Sequence, residues 1–167
     1  MLEHGTRQTY ALVCLNVLQI IMKKYVPPEL SEHILPFNWD VRRVWEQASV
    51  ITQRPIADFD YLLDLPLWSS LPKQGMLFDI SPREVMAYPE RAPHQTLRIQ
   101  NACIDFPIDL LHYQGSEWVL DGVHRIAKLW MKHEDTLNVR VHGEEIIPRI
   151  RIEEAEQDVT GNGGQAR

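Results

Sequence analysis

An aspartate, a glycine, a histidine and an arginine crowd into positions 121–125, inside the run Trp118-Val119-Leu120-Asp121-Gly122-Val123-His124-Arg125-Ile126-Ala127-Lys128. The apolar residues up to Leu120 read as a buried strand, Gly122 as a turn and Val123 onward as a helix. At about 100° per residue, Val123, Ile126, Ala127 and Trp130 share one apolar arc. His124, Arg125 and Lys128 fall together on the other side, and Asp121 projects the same way. The first N–H groups of a helix lack an intrahelical partner and carry the positive end of its dipole. Gly122 and Val123 then offer backbone that an anion can approach closely. Arg125 offers a planar fork for phosphate oxygens, and His124 a hydrogen bond or, near neutral pH, a proton. Lys128 adds charge, and Asp121 is placed to hold Mg²⁺ or to order the turn. This chemistry suits a phosphate. The same residues also suit an ordinary turn and N-cap with solvated basic side chains.

Leu120-Asp121-Gly122-Val123-His124-Arg125-Ile126-Ala127-Lys128 resembles the D-G-x-H-R signature of the ParB/sulfiredoxin-like superfamily. Phe78 to Arg151 looks like a ParB N-terminal-like module. Trp39-Asp40-Val41 and Leu62-Leu63-Asp64-Leu65-Pro66-Leu67-Trp68 resemble a bacterial branch that carries the same module. The resemblance implies that the turn and helix end bind nucleotide phosphates through Gly122, Val123, His124, Arg125 and Lys128. It implies ATP or a related nucleotide with Mg²⁺, in phosphoryl transfer or hydrolysis, with Asp121 and His124 as catalytic candidates and Asp121 as the metal ligand. A non-catalytic nucleotide-sensing or protein-interaction module is the alternative, and a ParB-like nuclease a further one.

Within that superfamily, sulfiredoxins carry a reactive cysteine immediately before the His-Arg pair. Val123 stands there, which argues against sulfinic-acid reduction. Partition proteins carry an arginine-rich motif and a helix-turn-helix domain. This motif has one arginine, and no such domain is read after it, so DNA is not the expected partner. Free-serine kinases share D-G-x-x-R but need a carboxylate base, for which Glu84, Glu90, Asp105 and Asp109 are the nearest candidates by sequence. Tyr88 and His94 are candidates to flank a base.

The elements that must position the motif read as an α+β fold of ParB/sulfiredoxin-like type: a small mixed sheet with packed helices, preceded by a helical N-terminal extension. Residues 1–75 form that extension, packed on a module over 76–151, with a charged, glycine-rich tail over 152–167 expected to be disordered. In the extension, a helix over 6–25 ends before Pro27-Pro28, and an irregular aromatic-bearing stretch follows, with a helix at 55–64. In the module, 76–80 is a short extended segment. Ser81-Pro82-Arg83-Glu84 opens a helix with a capping-box pattern, and a second helix covers 94–101. A strand lies over 104–111. Segments 110–113 and 117–120 pair around Gln114-Gly115-Ser116. The motif helix runs over 123–133, and 137–142 alternates as a strand.

Composition bounds the rest. The 167 residues are 44% apolar and 24% charged, as in a globular protein rather than a disordered one. Acidic residues outnumber basic ones 23 to 17, for a net charge of −6, which argues against a free-standing DNA binder. The apolar stretch from Tyr10 to Met22 is too short for a membrane span. It is read instead as a buried helix that could pair two subunits into a homodimer. Two cysteines without CxxC spacing suit a reducing, cytoplasmic setting. The seven histidines show no HExxH or Cys/His ligand spacing, so neither zinc nor haem is expected.

Overall fold

A computed structural model describes residues 26–73 and 77–152. The helix expected over 6–25, its dimer contact, and the tail from 153 lie outside the described residues.

Four strands, β1 (Ile51–Pro55), β2 (Ile108–Tyr113), β3 (Ser116–Asp121) and β4 (Thr136–His142), form one mixed sheet in the order β1-β4-β2-β3. The β2–β3 hairpin closes through Gln114 and Gly115, both at positive φ (51° and 79°), as a tight two-residue hairpin turn requires. Tyr113 then faces Ser116 and Leu111 faces Trp118. Beside Asp109 the register shifts, so that Asp109 faces Asp121 while Leu110 faces Val119. β4 returns parallel to β2, with Asp109 opposite Arg140 and Leu111 opposite His142.

The antiparallel partner on the other side of β4 is β1. It comes from the stretch expected to be irregular. Its sequence, Ile51-Thr52-Gln53-Arg54-Pro55, is exposed almost throughout, so no alternation marks it. Pro55, expected to open a helix, ends this edge strand, where a missing N–H is tolerated. The helix follows as a 3₁₀ segment, Ile56–Leu63.

Among the described residues, five short α-helices accompany the sheet: α1 (Val41–Trp45), α2 (Pro82–Ala87), α3 (Pro93–Asn101), α4 (Val123–Met131) and α5 (Ile147–Ile150). The capping box on α2 is made in full, with Glu84 N–H donating to Ser81 Oγ and Ser81 N–H to a Glu84 carboxylate oxygen. Of the extended segment at 76–80, Met76 lies outside the described residues and Ile80 forms a single bridge with Trp68.

Both faces of β2 are buried. On one, Ile108 and Leu110 pack with Leu137 and Val139 of β4, Ile126 and Ala127 of α4, Val85, Ile99 and the 3₁₀ residues Phe59 and Leu63. On the other, Leu111 and Leu120 pack with Leu35, Val44 of α1, and Ile146 and Ile150 next to and within α5. Burying these side chains contributes about 1.5–3 kcal/mol each, before the entropy of ordering them is set against it. The motif turn, where β3 meets α4, is thereby held between the two cores.

Candidate functional site

Gly122 caps α4 at φ 122°, ψ 6°, a conformation that L side chains rarely adopt. A Cβ there would sit 2.7 Å from Ile108 Cδ1 and 3.1 Å from an Arg125 guanidinium nitrogen. Backbone conformation and close packing each demand the glycine. No side chain caps α4, and its first helical bonds run from the Arg125 and Ile126 N–H groups to the Gly122 carbonyl. The Val123 and His124 N–H groups therefore have no helical acceptor.

The polar face of α4 is covered rather than bare. The His124 ring stacks on buried Trp68, with centroids 4.3 Å apart and planes at 7°. Its Nε2 lies 2.9 Å from Gln95 Oε1, while the Gln95 amide nitrogen donates to the Ser69 carbonyl. With that oxygen accepting, Nε2 carries the imidazole proton. Burial, reinforced by Arg98, Arg125 and His94, lowers the His124 pKa to about 3, so the ring is neutral near pH 7. Near neutral pH its one ring proton is directed at Gln95.

Arg125 is one-seventh exposed, its side chain at 14%. Its Nη2 donates to the Pro107 carbonyl at 3.1 Å and to Asp121 Oδ2 at 3.0 Å. Its buried Nε has no partner. Asp121 Oδ2 also accepts the Trp45 indole N–H at 2.9 Å. The carboxylate thus ties the turn to α1 and α4. A guanidinium this close competes with a cation, and no group of three or more His, Cys, Asp or Glu side chains among the described residues could hold a metal. Asp121, the candidate Mg²⁺ ligand, is thus engaged in internal bonds to Trp45 and Arg125. Lys128 points elsewhere: its ammonium donates to the Gln100 and Ala102 carbonyls at 2.7 and 2.8 Å, at the C-terminal end of α3.

Two cavities open beside Gly122. One, of about 380 Å³, is lined by Lys73, His94, Gln95, Arg98, the turn from Asp121 to Val123, and His124, among others. The second, of about 320 Å³, shares Arg98, Asp121, Gly122 and His124 with it and adds Trp45, Asn101 and Arg125. Asp121 is the one carboxylate lining either of them, so cations prevail in both. Lys73 and Arg98 make no ion pair among the described residues. Sequence reasoning missed Arg98 and Lys73. His94 and Arg98 stand at i and i+4 on α3, which puts them on one helical face, and that spacing was the available signal.

Comparison with protein-family models, curated proteins and solved structures found no match.

The carboxylates considered as a base are spread out. Glu84 is held below the usual carboxylate range by the Ser81 backbone N–H, with help from Arg91. Glu90 and Asp105 are exposed, away from the turn's cavities. Asp109 is buried, at 1% exposure. Its Oδ1 accepts from Arg140 Nε at 2.7 Å and lies 2.9 Å from His142 Nε2. Burial alone would raise its pKa, but these hydrogen bonds prevail and hold it low. A carboxylate so stabilised is a poor base. His94 lines the larger cavity, whereas Tyr88 lines neither. Among the described residues, no helix is long and apolar enough to cross a membrane.

Proposed function

We propose that the two cavities beside Gly122 bind the phosphate groups of a nucleotide. One observation carries this reading: the uncapped start of α4 adjoins a 380 Å³ cavity in which Lys73 and Arg98 have no ion-pair partner among the described residues. A phosphate there takes hydrogen bonds from the Val123 and His124 amides and charge from Arg98 and Lys73. Arg125 holds the corner through Asp121 and lines the smaller cavity. The resemblance to the ParB/sulfiredoxin-like superfamily supports ATP or a related nucleotide, in phosphoryl transfer or hydrolysis, in a cytoplasmic protein.

A second reading, a module that binds nucleotide without consuming it, is favoured by the state of the candidate catalytic groups. Asp121 Oδ2 already accepts two hydrogen bonds, and His124 is neutral and stacked. Calorimetric titration of wild type and Arg98→Ala with ATP, ADP and CTP tests binding. The variant should bind about tenfold more weakly, on the order of 1.5 kcal/mol for a lost charge-assisted bond. Equal affinities in both proteins, or no binding, refute the site. Nucleotide turnover with added Mg²⁺ separates the two readings.

A further inference from the structure

Beyond Arg125 the smaller cavity adjoins a third one, of about 370 Å³, lined by Trp45, Phe106, Pro107, Asp109, Arg125 and Arg140. The two share Trp45 and Arg125. We infer that this third cavity takes the flat heteroaromatic ring of the ligand, a nucleobase whose phosphates lie at Gly122. The inference rests on the phosphate reading above and extends it to the other end of the same molecule.

Three observations carry it. The lining is mainly apolar, and two of its side chains are large rings left open to solvent, Trp45 at 52% and Phe106 at 61% exposure. Exposed apolar surface gathered at one cavity is the kind that marks a ligand-binding groove. The indole is also fixed in place, because its N–H donates to Asp121 Oδ2, the oxygen that also accepts from Arg125. A ring held by a hydrogen bond at its edge keeps its face available for stacking, at little entropic cost on binding.

Charge balance then chooses the occupant. In this cavity each guanidinium already has its carboxylate, Asp121 for Arg125 and Asp109 for Arg140. No excess positive charge is left to attract a second anion. What remains is donors not used within the protein: Arg125 Nη1 and Arg140 Nη2 make no hydrogen bond among the described residues. An uncharged planar ring whose edge carries nitrogen and carbonyl acceptors satisfies both the apolar faces and the unused donors. A lipid or aliphatic chain satisfies the first and not the second.

The test uses the full chain, with ATP and inorganic tripolyphosphate as probes, on wild type, Phe106→Ala, Trp45→Phe and Arg98→Ala. Phe106 makes no polar contact, so its removal leaves the phosphate end intact. Phe106→Ala is expected to weaken ATP about tenfold or more and to leave tripolyphosphate unchanged. Arg98→Ala should weaken both ligands. Trp45→Phe keeps a ring face but loses the bond to Asp121, and should weaken ATP by a smaller factor than Phe106→Ala. ATP binding no tighter than tripolyphosphate, or unchanged ATP affinity in Phe106→Ala, overturns the base site while the phosphate site stands. Wild type that binds neither probe overturns the phosphate reading and this one with it.

Discussion

The rings of Trp68 and His124 lie parallel, 4.3 Å apart, so the histidine of the motif is part of the core as much as of the site. Trp68 is buried and bridges to Ile80, and His124 has its Nε2 proton on Gln95. Burial first, then the nearby cations, brings its pKa from 6.5 to about 3. The unfolded chain therefore takes up this proton first as the pH falls. The stability linked to His124 is complete above pH 6.5 and declines between about pH 6.5 and 3. Wild type should lose roughly 2 kcal/mol through this residue between pH 7 and pH 5. Urea denaturation at both pH values, compared with His124→Phe, measures it. Equal pH dependence in the two proteins contradicts a neutral His124.

Gly122→Ala should destabilise the fold by about 2 kcal/mol or more, from the unfavourable φ and the overlap with Ile108. Adding Ile108→Val removes the Cδ1 contact but not the backbone strain, so thermal unfolding of the double variant should show partial recovery. Full recovery would mean that packing alone demands the glycine.

Lys128 bonds two carbonyls at the end of α3, where a cation also complements the helix dipole. Lys128→Met should cost about 1–2 kcal/mol of stability while changing ATP affinity less than Arg98→Ala does. If affinity falls as far as in Arg98→Ala, the ammonium reaches the ligand after all.

Asp109 joins β2 to β4 through Arg140 and His142, all largely buried. Removing one partner of such a group strands the others, at about 3 kcal/mol or more. Asp109→Asn should show that loss in chemical denaturation at pH 7. The folded-state pKa of Asp109 lies below its ordinary value, so its contribution is present above about pH 4 and is lost as acid is added through the folded value. The difference between wild type and Asp109→Asn should shrink in that acid range. A constant difference down to pH 2 is the contrary result.

Much of the architecture is legible in local pattern. The α2 capping box, the α3 helix, the hairpin at Gln114-Gly115, the apolar arc of α4 and the alternation in β4 all come from residues that interact over a few positions. β1 was not legible, because an exposed edge strand has neither alternation nor a continuous apolar run, and its pairing with β4 spans about half of the chain. The site was legible in the same uneven way. The strand-to-turn-to-helix frame and the glycine followed from positions 118–128. The partners of its polar side chains did not, since Trp68, Gln95, Pro107 and Trp45 reach them from other segments.

Periodicity and turn chemistry are short-range, so the order of residues was enough to define an α+β frame and a glycine corner at Asp121–Arg125. Which basic groups face that corner depends on what packs over it. Docking of α3 and of the segment around Trp68 takes His124 and Lys128 into internal contacts and brings Arg98 to the cavities instead. Burial then sets the protonation of the imidazole, and desolvation by residues distant in sequence has no signature in a helical wheel.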